Sequence, residues 1–350
     1  MEEDKEALPP GWEAHFSNTK NRKYYYNAET NRSVWRLEDI IVSEAELQRR
    51  EPVVSKKRKA DSKAEPSSKD TVNKRAKKRE GQISVAIIVP FRDLHVAQRR
   101  KEHLNRFIPH MENFLSSQEG IYRFHVYIIE QTDDGRKFNR GKLLNIGFDL
   151  ACKDEVNLGF CFDSFIFHDV DLLPVGSVIG GYYAKYPRRP IHIARCWNRY
   201  NANPKYFGGV VAFSKADYQR IDGFPNIYWG WGGEDDELQI RVKHARLSVE
   251  SPSEKLSDAL IDLENMNLQE KLSFLRQNRE WKCNMKWEVS DELKKYRKHR
   301  TKPFWWGLKN IDYKVKERDY LGKDQLSSKI TVDVLENTNK DGTVYRTILP

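Results

Sequence analysis

An α/β sandwich with a mainly parallel central sheet, preceded by a small all-β module, is the fold class predicted by this sequence of 350 residues. Three observations predict it. Ile83 to Val89 is a continuous apolar, β-branched run ending at Pro90, the pattern of a strand buried on both faces. Strand-like and helix-like segments alternate after it as far as His168. The first forty residues instead hold aromatic clusters separated by short polar stretches, as a strand meander does.

The N-terminal module opens with Leu8-Pro9-Pro10-Gly11-Trp12, has Tyr24-Tyr25-Tyr26-Asn27 at its centre and closes on Trp35. Turn-forming segments at 17–21 and 27–31 divide it into three antiparallel strands. So few residues bury little surface, so the large aromatics must supply most of the core. Residues 8–38 resemble a WW domain. The resemblance implies that Trp12 is structural and that Tyr24, Tyr26 and Trp35 line a groove for proline-rich peptides. Two positions depart from the family pattern: Glu38 replaces the usual proline, and Ala28 the histidine often found at the groove's edge.

Residues 39–81 read as a disordered basic linker, almost free of large apolar side chains between 49 and 80. The net charge of +10 is concentrated there: residues 49–80 hold thirteen Lys/Arg against five Asp/Glu. The remainder of the chain is therefore close to neutral. The clusters Lys56-Lys57-Arg58-Lys59 and Lys74-Arg75-Ala76-Lys77-Lys78-Arg79 fit an importin-bound nuclear import signal, with nucleic-acid contact or a solvated linker as alternatives. No apolar run approaches the roughly 20 residues of a membrane span, and the acidic first residues lack the apolar core of a secretory signal. Cys152, Cys161, Cys196 and Cys283 are widely separated and show no zinc-like pairing, so reduced thiols are expected. A nuclear location follows, with a cytoplasmic one as the alternative and no membrane partner.

Residues 82–336 form the large domain, and 337–350 a C-terminal tail. After the first strand a helix runs through about Leu115. Arg123–Glu130 reads as the second strand, Gly141–Cys152 as a helix and Phe162–His168 as the third strand. A helical-looking insert covers Leu256 to Leu275. Ligands of such sheets bind at the carboxyl ends of the strands, which places Pro90-Phe91-Arg92 and Asp169-Val170-Asp171 at the site.

Asp169 and Asp171, spaced i, i+2 on an extended segment, point the same way and suit a divalent cation beside a phosphate. Arg92 and Arg140 supply cations for phosphate oxygens. Residues 229–237, Trp-Gly-Trp-Gly-Gly-Glu-Asp-Asp-Glu, set four acidic side chains against two indoles. The tryptophans offer faces for stacking, the glycines let a ligand approach the backbone, and the carboxylates offer a base or acceptors for hydroxyls. That pattern points to a sugar held beside a catalytic carboxylate; the alternative is an acidic helix start after a Gly-rich turn. His168 is as well read as a satisfied strand-end residue, and Trp305 and Trp306 as core.

Five segments occur in one order: Val85-Ala-Ile-Ile-Val-Pro-Phe-Arg92, Phe138-Asn-Arg-Gly-Lys-Leu-Leu-Asn-Ile-Gly147, His168-Asp-Val-Asp-Leu-Leu-Pro174, Tyr206-Phe-Gly-Gly209 and Trp229-Gly-Trp-Gly-Gly-Glu-Asp-Asp236. With Gly307-Leu308 through Ile330-Thr-Val-Asp333 they resemble the β-1,4-galactosyltransferases, inverting transferases of the GT-A fold (glycosyltransferase family 7). His168–Pro174 and Ile108-Pro-His-Met111 resemble the branch that galactosylates xylose. The resemblance implies that Pro90, Phe91, Arg92, Phe138 and Arg140 hold the uridine diphosphate of UDP-galactose. It puts Asp169, with Val170, at the donor's ribose or sugar, and Tyr206 where galactose is preferred over its N-acetylated analogue. It makes Trp231, Gly232 and Gly233 a closing loop, Asp235 the base, and Glu234 and Asp236 the residues that orient hydroxyls. Mn2+ is implied at Asp171. No histidine stands where the family has its remaining metal ligands; a gapless count from Gly307 reaches Glu280, and a gapped one Met285 and Glu288. The implied activity is galactosyl transfer by an enzyme recruited to proline-rich partners; the alternative is an adaptor built on an impaired transferase.

Overall fold

The computed structural model describes residues 8, 10–17, 22–27, 32–34, 78–93, 98–200, 203–278 and 306–335. The chain divides into two compact units, Met1–Lys74 and Arg75–Pro350. The predicted linker up to residue 77, the tail from 337, and Trp35, Glu280, Met285 and Glu288 lie outside the described residues.

The first unit contains an antiparallel sheet of β1 (Trp12–Ser17), β2 (Arg22–Asn27) and β3 (Arg32–Val34). Trp12 pairs with Asn27, and Tyr25 with both Ala14 and Val34. Trp12 and Asn27 are buried, in keeping with a structural tryptophan. Tyr24 and Tyr26 both lie on β2.

The second unit is built on a seven-stranded sheet in the order β11-β12-β5-β4-β6-β9-β8. These strands are β4 (Ile83–Phe91), β5 (Ile121–Gln131), β6 (Ser164–His168), β8 (Ile191–His192), β9 (Val210–Phe213), β11 (Lys314–Leu321) and β12 (Ser327–Asp333). The expected mainly parallel sheet is half correct. The central strands β12, β5, β4 and β6 run parallel, while β11, β9 and β8 join by antiparallel pairing. An apolar run records burial and not direction, so the outer pairings were invisible in the pattern.

All nine residues of β4 are buried, and its side chains alternate between two cores. Val85, Ile87 and Val89 face a cluster with Leu104, Phe107, Met111 and Leu115, which are the inner face of α1 (Arg100–Ser116). Ala86 and Ile88 face a second cluster under α2 (Arg140–Leu158). The Asn139 side chain caps α2 by accepting from the Lys142 amide. Helix α2 lies so close to the sheet that a Cβ at Gly147 would stand 2.3 Å from Ile88 Cγ2.

Short α3 (Ser177–Tyr183) and α4 (Lys215–Arg220) flank these layers. The segment predicted as one helical insert is in fact broken. A 3-10 turn over Glu254–Ala259 leads into β10 (Leu260–Asp262), and α6 (Leu268–Gln277) follows, after α5 (Glu234–His244) earlier in the chain. The break has a local cause: Asn267 is the N-cap of a capping box with Glu270, so the helix begins there. Strand β10 pairs antiparallel with β7 (Leu172–Pro174), setting it beside Asp171. No helix among the described residues is long and apolar enough to cross a membrane.

Candidate active site

The carboxyl ends of β4 and β6 open on a cavity of about 600 Å³. Pro90, Phe91, Arg92, Phe138, Arg140, Asp169, Val170 and Asp171 all border it, as do Tyr206, Trp231, Gly232, Gly233, Glu234, Asp235 and Asp236. Every candidate of the large domain that falls within the described residues is thus gathered into one space.

Arg92 follows the last residue of β4. Its Nη1 donates to the Arg136 carbonyl at 2.5 Å, while its Nη2 faces Asp133 and Asp134 at 3.6 and 3.5 Å. Nε and Nη2 have no hydrogen-bond partner although they are buried. A buried guanidinium with unused donors is matched to an oxygen-rich ligand.

Arg140 is the first residue of α2 and ties the acidic groups together. Its Nε donates to Asp169 Oδ1 at 2.8 Å and its Nη1 to Asp235 Oδ1 at 2.9 Å, with Glu234 3.5 Å away. Burial pushes the Asp235 carboxyl well above the ordinary range, the charges of Glu234 and Asp169 add to this, and Arg140 opposes it. Glu234 and Asp169 are raised for the same first reason, burial, again against Arg140. Glu234 Oε2 is buried without a hydrogen-bond partner.

The helix-start reading of the 229–237 stretch holds, and part of the stretch also borders the cavity. Glu234 to Glu237 form the first turn of α5, with Arg241, Lys243 and His244 at its far end, so the charges complement the helix dipole. Gly232 and Gly233 sit at φ 99° and 104°, angles that side-chain-bearing residues rarely adopt, and turn the chain into that helix. The first three carboxylates reach the cavity; Glu237 is buried on the other side against Arg241. The two tryptophans separate as well: Trp231 lines the cavity, and Trp229 is a core residue under the Arg136 guanidinium.

Tyr206 is half-buried and stacks on Tyr200 at 3.7 Å with the rings 10° apart. Between it and Asp235 lies Gly208, where a Cβ would meet Asp235 Oδ2 at 2.1 Å. His168 is a satisfied strand-end residue: its ring bonds the Asp169 carbonyl and the Tyr183 hydroxyl.

Asp171 lies in a second charged cluster. Arg100, the first residue of α1, places Nη1 on Asp171 at 2.7 Å and Nη2 on Glu264 at 2.6 Å. Arg199 pairs with Glu264 at 3.0 Å and Asp262 at 2.6 Å, and Lys271 of α6 with Glu264 at 2.7 Å. Burial alone would raise the Asp171 carboxyl, but the Arg100 guanidinium holds it well below the usual range. Arg99, by contrast, pairs with Glu102 at the surface.

Glu264, Arg199 and Lys271 escaped the sequence reading. A signal for Glu264 existed: Asp262-Leu263-Glu264 repeats the i, i+2 acidic spacing of Asp169-Val170-Asp171, and the Leu263 amide donates to the Asp171 carbonyl. Among the described residues no three carboxylate, histidine or cysteine side chains converge as metal ligands. Two carboxylates do converge, those of Asp171 and Glu264, and a hard oxygen pair fits manganese or magnesium.

Residues 46–179 match the model of the N-terminal region of glycosyl transferase group 7, and residues 188–261 that of a galactosyltransferase domain. Residues 8–37 match the WW domain. Human β-1,4-galactosyltransferase 3 is 41% identical over 170 residues, which cover 48% of this chain and 39% of that protein. Human β-1,4-galactosyltransferase 4 is 41% identical over 174 residues, 48% of this chain and 45% of its own. The matched part of the chain therefore spans less than half the length of these relatives. A mutant of Drosophila β-1,4-galactosyltransferase 7, solved with manganese, UDP-Gal and xylobiose, aligns with 72% of this chain and 94% of its own, at 28% identity and a TM-score of 0.55. Motif order, family models and fold agree: the chain belongs to glycosyl transferase group 7, the family of the β-1,4-galactosyltransferases, and carries a WW domain at its N-terminal end.

Proposed function

We propose that the protein is an inverting galactosyltransferase that moves galactose from UDP-galactose to an acceptor hydroxyl. The observation that carries this reading is Asp235, a carboxylate with a raised proton affinity at a helix N-terminus, fixed by Arg140 in the cavity that also holds Arg92 and Asp169. A base opposite a leaving diphosphate is what inverting transfer needs.

In this reading Asp235 accepts the acceptor's hydroxyl proton as the oxygen bonds to the anomeric carbon. The bond from that carbon to the diphosphate breaks, and its electron pair leaves with UDP. Glu234 and Asp236 orient hydroxyls, Arg92 and Arg140 hold phosphate oxygens, Asp169 and Val170 border the galactose, and Trp231 covers the donor. Mn2+ held at Asp171 would screen the charge that develops on the diphosphate.

Purified protein should hydrolyse or transfer from UDP-galactose with manganese. Asp235→Asn should lower the rate by about 10²–10⁴-fold, the usual contribution of a general base. If neither hydrolysis nor transfer occurs, and the variant changes nothing, the enzyme reading fails. One observation favours a second reading, a transferase-fold adaptor: Asp171 is already satisfied by Arg100. That reading predicts donor binding without turnover.

The WW domain would recruit the enzyme to proline-rich partners through Tyr24, Tyr26 and Trp35, and the two basic clusters would direct it to the nucleus through importin. A nuclear protein, RNA or DNA is then the acceptor class. A fluorescent reporter fused to residues 49–80 should accumulate in nuclei; one left in the cytoplasm refutes the import role.

A further inference from the structure

Arg100 stands where its charge is least welcome. The N-terminal end of a helix carries a partial positive charge, and a guanidinium in the first residue of α1 gains nothing from it. What holds Arg100 there is the pair of carboxylates it bridges, Asp171 through Nη1 and Glu264 through Nη2. The two terminal nitrogens of a guanidinium share one carbon, so the carboxylates bonded to both are held as near neighbours. Glu264 reaches this point because β10 pairs with β7, which hangs the residue after Leu263 beside Asp171. The six charged groups Arg100, Arg199, Lys271, Asp171, Asp262 and Glu264 balance to zero. A dication entering the cluster as it stands would bring uncompensated charge, whereas one that displaces Arg100 would not meet its repulsion.

We propose that Glu264 is a second carboxylate ligand of the divalent cation beside Asp171, and that Arg100 is the counter-ion which keeps this place and leaves it when the cation binds. This rests on the transferase reading only for the expectation that a divalent ion visits Asp171. Arg199 and Lys271 stay on Glu264 and keep its carboxylate oriented. The released guanidinium remains on the cavity wall, where a diphosphate oxygen is its natural new partner.

The test is calorimetric titration of Mn2+ into the full chain without donor, checked by the loss of the free-ion signal in electron paramagnetic resonance. Arg100→Met should tighten Mn2+ binding by about tenfold or more, because a competing cation is removed. Glu264→Gln should weaken it by about 10–100-fold. Arg100→Lys keeps the charge but not the fork that bridges both carboxylates, and should fall between wild type and Arg100→Met; it decides the matter if the methionine variant does not fold. Binding that is unchanged or weaker in both Arg100 variants, unchanged in Glu264→Gln, or absent from every form overturns the proposal. Altered Mn2+ binding without galactosyl transfer would sustain it while sinking the enzyme reading.

Discussion

Arg140 holds three carboxylates with one guanidinium, and that arrangement sets the pH at which the site can work. As the proposed base, Asp235 would have to be deprotonated to accept a proton, yet burial favours its protonated form, with Glu234 and Asp169 adding to the effect. The active form therefore appears only as pH rises through a value above the ordinary aspartate pKa of 3.8. We expect the acid limb of the transfer rate to lie above that of a free carboxylate. Arg140→Met, which removes the one charge that opposes the shift, should move the limb to still higher pH. A pH–rate profile of both proteins checks this; an acid limb at or below pH 4 in the wild type would contradict it. The residues of this site were legible in the sequence where a motif sat at a strand end, as at Arg92, Asp169 and Asp171. Glu264 was not, because its meaning comes from a neighbour more than ninety positions away in the chain. A count back from Gly307 ends at Glu280, short of Glu264.

The elements were legible wherever one period ran unbroken. The β4 run, the α1 face at Leu104, Phe107, Met111 and Leu115, and the α2 segment all folded as their patterns required. The insert was misread because its apolar spacing is helical on both sides of a three-residue strand, and only pairing with β7 reveals that strand. Helix α2 also makes a strict demand at one position. Gly147 lets the helix rest on β4 and β5, and a methyl group there would press on Ile88 and Ile129 at 2.3 and 3.0 Å. Overpacking of this kind costs about 1–3 kcal/mol. Gly147→Ala should therefore lower the unfolding free energy from urea titration by that amount and shift the midpoint down accordingly, and an unchanged midpoint would show that the layers can part freely.

At the scale of the whole molecule the charge is unevenly divided: residues 49–80, which straddle the boundary of the two units at Lys74, are strongly basic, and the remainder is nearly neutral. Two units of different fold class were legible because their textures differ, short aromatic strands in one and long apolar strands alternating with helices in the other. The strand order of the large unit carries a further consequence. Strand β12 (Ser327–Asp333) inserts between β11 and β5, and β5 ends at Gln131. During synthesis β5 therefore waits for nearly two hundred residues with one edge unpaired, a row of free amides and carbonyls beside an apolar strand. Contacts of such long sequence separation close late and slowly. Nascent chains are thus exposed to edge-to-edge association until Asp333 has left the ribosome, and a holding chaperone is what this interval calls for.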